Sequence, residues 1–243
     1  DQFSEAVLTY KQFLNNTSAS VTPEFKTVNY NLAYAYFKIK EYENAIPYFN
    51  TYIAQSKEDK NRLTDAYLRM ADCNYISSKY WPAMDAYNKA IELKCVDADY
   101  AAFQKGMSYG FVNKNDKKIE DLTKFVSTYK TSQYLDDALY ELGNTYTAEE
   151  MNDKAISTFD NLINNNKNSA YVAKSILKQG LIYYNTDKDD AAIAKFKKVV
   201  AEFPNSPESL EAVATAKSIY KANGKVGEYA AWVKTLSFVE VTD

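Results

Sequence analysis

Five stretches of the chain carry the same landmarks in the same order: NLAYAYFKIKEYENAIPYF, RMADCNYISSKYWPAMDAY, QKGMSYGFVNKNDKKIEDL, ELGNTYTAEEMNDKAISTF and KQGLIYYNTDKDDAAIAKF. A small residue recurs at Ala33, Ala71, Gly106, Gly143 and Gly180, in steps of 38, 35, 37 and 37 residues. Steps of that length are helical hairpins. Three residues later stand Tyr36, Asn74, Tyr109, Tyr146 and Tyr183, and twelve later Ala45, Ala83, Lys118, Ala155 and Ala192. Four positions further come the bulky Phe49, Tyr87, Leu122, Phe159 and Phe196. Small and large side chains therefore alternate where two antiparallel helices must approach and interlock.

One such hairpin leaves an apolar flank that only a neighbouring hairpin can cover. Each Leu, Phe or Tyr buried there contributes on the order of 1.5–3 kcal/mol, so the hairpins stack. Composition agrees with an all-α chain. Hydrophobic residues make up 46% and aromatics 15%, with 22 Tyr, which is core enough for a folded protein. Only 6 Gly and 5 Pro are present, which favours helices joined by short polar loops.

The small residue, tyrosine, alanine and aromatic spacing resembles the tetratricopeptide repeat family across nearly the whole chain. That resemblance implies a right-handed α-α superhelix of about five full repeats plus partial terminal ones. The full repeats are expected at 26–60, 64–98, 99–131, 136–168 and 173–205. Residues 1–16 fit the second helix of a partly lost repeat, and 207–236 a terminal helix pair broken near Asn223-Gly224. The abrupt opening in an amphipathic helix suggests a trimmed piece of a longer protein. The tail SFVEVTD alternates apolar and polar residues and is expected to be a frayed end in preference to the first strand of a further domain. Two residues depart from the family pattern: Lys118 replaces its small residue and Asn74 its tyrosine, so packing should change locally. The long connections INNNKNSAY and AEFPNSPES resemble the looser repeats of bacterial cell-envelope proteins, the Tol-associated periplasmic and barrel-assembly lipoprotein types. The periplasm or the outer membrane is the expected location, with the cytoplasm as the alternative.

The chemistry the chain could perform is narrow. It contains no histidine, which removes Ser-His-Asp triads, Cys-His dyads and HExxH zinc sites. Its glycines form no phosphate-cradling pattern. A net charge of -3 with scattered basic residues gives no footprint for nucleic acid. No stretch approaches the roughly 20 apolar residues of a membrane span. Asp136 and Asp137 precede an apolar-periodic helix and are expected to cap it. NTDKDDAAIAKF lacks the central glycine and the final Glu of a calcium loop. Cys73 and Cys95 fit buried small hydrophobes. No catalytic residue, metal ligand or cofactor is nominated.

The resemblance also implies a concave groove lined by the first helix of each repeat. Here it would present Tyr30, Tyr34, Phe37, Leu68, Tyr75, Phe103, Met107, Phe111, Tyr140, Leu181 and Tyr184. A solvent-facing aromatic stripe of this kind fits a protein or peptide partner, with homo-oligomerisation left open. The other reading is that these side chains fill the groove themselves and the array only spaces flanking domains. Both readings stand on the sequence. The carboxylate clamp of the chaperone-binding branch of the family is absent, because Tyr30, Tyr34, Leu68, Asp72, Phe103 and Met107 occupy its sites.

Overall fold

The computed structural model describes residues 2–55 and 59–239. They form two compact units, 1–132 and 133–243. The first contains α1 (Gln2–Asn15), α2 (Phe25–Lys38), α3 (Tyr42–Gln55), α4 (Lys60–Ile76), α5 (Tyr80–Glu92), α6 (Ala98–Phe111) and α7 (Asn115–Thr128). The second contains α8 (Leu135–Ala148), α9 (Asn152–Asn165), α10 (Val172–Asn185), α11 (Asp189–Glu202), α12 (Pro207–Ala222) and α13 (Val226–Val233). A 3-10 turn spans Thr17–Val21, and there is no strand among the described residues. Residues 237–239 form a turn and bend; the rest of the tail, 240–243, lies outside the described residues.

Each repeat's first helix (helix A) packs on its second (helix B) through the sequence landmarks. A Cβ placed on Gly143 would lie 2.5 Å from the Phe159 ring, and one on Gly180 would lie 2.5 Å from Phe196. On Gly106 it would meet Leu122 at 2.9 Å. The glycines thus let the helices approach more closely than a methyl group permits. Where Lys118 replaces the small residue, its aliphatic stem runs beside Gly110, whose added Cβ would lie 3.3 Å from Lys118 Cδ. Lys118 is nevertheless buried, so Gly110 makes the room that the landmark residue no longer provides. Asn74, in the tyrosine position, is buried and turns its amide onto the Met70 carbonyl at 2.9 Å.

Every turn between a helix A and its helix B has one geometry. Lys40, Ser78, Asn113, Glu150, Asp187 and Gly224 all adopt positive φ, between 55° and 67°. The residue after each donates its backbone N–H to the carbonyl five positions back, as Glu41 does to Tyr36 and Met151 to Tyr146. These are Schellman closures, which satisfy carbonyls that a helix end leaves free. Only one of the six uses glycine.

The aspartates expected to cap α8 do so in part: Asp136 Oδ1 accepts the Asp137 backbone N–H at 3.0 Å, and both carboxylates lie at the positive end of the helix. Tyr134 occupies the cap position without a side-chain bond, and Asp136 and Asp137 stand in the first turn. There they tie one repeat to the next: Ser169 donates to Asp136 at 2.6 Å and Tyr171 to Asp137 at 2.7 Å. Ser132 and Asp99 make the equivalent bond in the first unit, at 2.6 Å. Cys73 and Cys95 are free and buried.

Candidate functional site

On the helix A side of the first unit, α2 presents Tyr30, Tyr34 and Phe37 in a row one helical turn apart. Tyr30 stacks on Tyr34 with ring centroids 6.0 Å apart and reaches Tyr52 at 5.3 Å. Its hydroxyl donates to Asp65 on α4 at 2.6 Å. Burial and that bond hold the Tyr30 phenol well above its ordinary pKa. Each ring in the row also carries a cation: Arg62 over Tyr30 at 5.4 Å, Lys38 over Tyr34 at 5.0 Å and Arg69 over Phe37 at 5.8 Å. Arg62 and Arg69 are the only arginines in the chain.

Arg69 organises the floor beside this row. It bonds Asp72 at 2.8 Å and Asp65 at 3.3 Å and approaches Asp97 at 4.0 Å. Asp72 is only 5% exposed, and its other oxygen accepts from Tyr87 at 2.8 Å and Tyr100 at 3.0 Å. Burial pushes the Asp72 carboxyl up; the Tyr87 hydroxyl and the Arg69 guanidinium pull it down without cancelling the rise. The same environment pushes the Tyr100 phenol up to about 12. Nothing in the sequence pattern flagged this network. The chain's only two arginines falling on one helix was the available signal.

Beyond Arg69 the surface changes character. Tyr80, at the start of α5, stacks on Phe111 with centroids 4.7 Å apart and planes 8° apart. Tyr75 meets both edge-on, at 5.7 and 5.8 Å. Phe111 is 54% exposed while Tyr75 and Tyr80 are half-buried, so Phe111 is the most open ring of this platform. Tyr80 is absent from the groove residues read from the sequence, because it lies on a helix B. Phe103 and Met107 precede Phe111 on α6 and are half-buried, Phe103 against Phe125 at 5.9 Å. Leu68 belongs elsewhere. At 3% exposure it is a core residue, because its turn of α4 faces inward.

In the second unit Tyr140 stacks on Tyr171 at 4.5 Å and touches Phe159 at 6.1 Å. The hydrogen bond to Asp137, aided by burial, pushes the Tyr171 phenol up to about 12. Leu181 is half-buried and Tyr184 is exposed. The sequence-derived site residues therefore fall on both units: eight on the first and Tyr140, Leu181 and Tyr184 on the second. No group of three or more Cys, Asp or Glu side chains among the described residues is placed to hold a metal ion, and none of the described helices is long and apolar enough to cross a membrane.

Profiles described as tetratricopeptide repeat match residues 27–59, 137–169 and 174–206. No curated protein sequence matches the chain. Solved structures with the same fold include MamA, 23% identical with a TM-score of 0.55 over 68% of this chain and 91% of its own. YrrB, described as a TPR protein with an unusual peptide-binding site, is 16% identical with a TM-score of 0.60, over 82% of this chain and 96% of its own. The C-terminal part of a TPR repeat-containing protein from Cytophaga hutchinsonii is 15% identical with a TM-score of 0.68, over 98% and 92%. The particular closeness to Tol-associated and barrel-assembly proteins expected from the sequence finds no support in these comparisons. The helix pairs, their landmarks and these matches agree: the chain has the fold of a tetratricopeptide solenoid, and three of its stretches match the tetratricopeptide repeat profile.

Proposed function

We propose that the chain is a non-catalytic scaffold that binds a protein or peptide segment on its helix A face, anchored at the Tyr75, Tyr80 and Phe111 platform. The observation that carries this reading is the exposed Phe111 ring, stacked on the half-buried Tyr80 beside Tyr75. Rigid rings with few rotamers to freeze suit peptide capture at low entropic cost. Phe103 and Met107 extend the platform along α6, Met supplying a surface that repacks around different side chains. The fold it shares with YrrB, whose description includes a peptide-binding site, is consistent with that use. Tyr140, Leu181 and Tyr184 are proposed as a further apolar face for a partner on the second unit. We place the scaffold in a bacterial envelope complex, periplasmic or outer-membrane-associated, on the strength of its long repeat connections.

Selection of a random peptide library on the purified chain tests this, with a Tyr75→Ala, Phe111→Ala variant of unchanged helicity as the counter-screen. A recurring motif that the variant loses by tenfold or more, roughly the loss of one hot-spot aromatic, supports the platform. Failure to enrich any motif, or binding that the variant leaves untouched, overturns it. The second reading is a spacer that orients flanking domains. It is favoured by one observation: Lys38, Arg62 and Arg69 already cover the rings of Tyr34, Tyr30 and Phe37.

A further inference from the structure

Two residues of one repeat break the pattern of the array together. One position after the small landmark of helix A stand Tyr34, Asp72, Met107, Asn144 and Leu181. Asp72 alone is charged, and Asp72 alone is buried; the other four are half-buried. At the bulky landmark of helix B, Phe49, Leu122, Phe159 and Phe196 end in hydrocarbon, while Tyr87 ends in a hydroxyl. That hydroxyl donates to Asp72 Oδ1 at 2.8 Å, and Tyr100 of α6 donates to the same oxygen at 3.0 Å. Arg69 of α4 donates to Oδ2 at 2.8 Å. A buried carboxylate carries a desolvation cost that an apolar side chain of similar size avoids, so stability alone does not account for it.

The three helices joined at Asp72 are the three that carry the ring platform. On α4, Asp72 lies one turn before Tyr75. On α5, Tyr80 and Tyr87 are seven residues apart, and on α6, Tyr100 and Phe111 are eleven apart. At about 3.6 residues per turn each pair falls within about 20° of eclipsed, so the hydroxyl that reaches Asp72 and the platform ring share one stripe of their helix. The two hydrogen bonds therefore set how α5 and α6 are rolled about their own axes against α4. Helix α6 depends on this most. Its buried residues are Ala101, Gly106 and Ser108, which give it no large, wholly buried side chain to key its roll. A roll of about 20° would carry a ring about 5–6 Å from the helix axis through roughly 2 Å, enough to undo the Tyr80–Phe111 stack at 4.7 Å.

We infer that Asp72 is the positioning residue of the platform: its one carboxylate holds α5 and α6 in the roll that stacks Phe111 on Tyr80 and sets Tyr75 against both. In this role, which rests on the platform being the peptide site, Asp72 touches no peptide and acts through Tyr87 and Tyr100. The same bonds make the rings rigid before a partner arrives, which lowers the entropy cost of binding.

Ring-proton shifts of Phe111 and Tyr80 in the isotopically labelled whole chain report the stack without any ligand. Tyr100→Phe keeps the ring and removes the bond that holds α6; Asp72→Leu removes both bonds within a side chain of similar size. At unchanged helicity, both variants are expected to lose at least about half of the upfield displacement of these signals, and to bind a library-selected peptide at least about five-fold more weakly. Phe49→Leu truncates the core of the same unit away from Asp72. It should lower stability yet leave the ring signals and the affinity in place. Unmoved signals in Tyr100→Phe, or an equal displacement in Phe49→Leu, would overturn the role of Asp72. Should Asp72→Leu fail to fold, Tyr100→Phe decides alone. Displaced signals with undiminished peptide affinity would keep Asp72 as the residue that sets the rings and would remove the platform from peptide binding. If library selection yields no peptide, the peptide reading falls and the ring signals still decide the role of Asp72.

Discussion

At the scale of single residues, two glycines of α6 and α8 have opposite roles although both lie inside helices. Gly143 faces the fully buried Phe159 ring at a separation no methyl group tolerates, whereas Gly110 faces the flexible stem of Lys118 at 3.3 Å. Gly143→Ala gains about 1 kcal/mol of helix propensity but must push a packed ring aside, at about 1–3 kcal/mol. A net loss of about 1 kcal/mol is expected. Gly110→Ala should instead stabilise by about 0.5–1 kcal/mol, since only a side-chain end has to move. Urea unfolding of the two variants checks the sign, and two changes in the same direction would refute the distinction. The landmark itself was legible in the sequence, because repetition exposes any position that stays small five times. Compensation was not: Gly110 answers Lys118 across a helix pair, and that relation occurs once. Asp72 was also opaque, since its partners Arg69, Tyr87 and Tyr100 come from three helices. Its pH behaviour has a definite sign. A carboxyl whose folded pKa is raised adds stability below its unfolded pKa, and loses it as pH rises through the raised value. The unfolding free energy of the native chain minus that of Asp72→Asn should therefore decline from about pH 4 upward. An increasing difference over that window would show a carboxylate stabilised in its charged form.

At the scale of elements, the chain closes its hairpins with left-handed residues that are mostly not glycine. The scarcity of glycine pointed correctly to helices with short connections, yet it concealed how those connections are made. Lys40, Ser78, Asn113, Glu150 and Asp187 share a conformation that costs an L-residue about 1–2 kcal/mol, and no residue preference marks it in the sequence. The repeated hydrogen bond from the following N–H to the carbonyl five back holds them there. Replacing Glu150 or Lys40 by Gly should relieve the strain. Part of that gain is returned to the more flexible unfolded chain, which leaves about 0.5–1 kcal/mol of net stabilisation per site. Chemical denaturation with an unchanged slope is the measurement. Destabilisation would mean that the side chains carry contacts outweighing the backbone. The connections running the other way, from helix B to the next helix A, were legible only in part for a related reason. Asp136 and Asp137 stand in the first turn of α8, where Asp136 Oδ1 accepts the Asp137 N–H as a capping oxygen would, and the Asp136 Oδ2 and Asp137 Oδ1 atoms accept from Ser169 and Tyr171 of the following repeat. A local rule held, and a neighbour about 34 residues away added a second role to it.

At the scale of the molecule, the repeat pattern settles which elements exist and leaves open what their outer faces meet. A groove stripe taken by register mixes rings that are exposed, such as Phe111, with rings that carry their own cations, such as Tyr34, and with Leu68, which is core. Spacing along a helix fixes a direction, but exposure depends on which side chains of the next repeat reach over. Stability follows the same nearest-neighbour logic, because within each unit a hairpin packs on the ones beside it and each unit has its own buried rings. Phe159→Ala removes a fully buried ring at the crossing with Gly143 and should cost about 3–5 kcal/mol. In a stack of this kind the loss stays local. Hydrogen exchange at amides of α8, α9 and α10 should accelerate by about a hundredfold or more, while α2 to α5 change by less than about twofold. Uniform acceleration from α2 to α12 would mean that the two units open as one cooperative body.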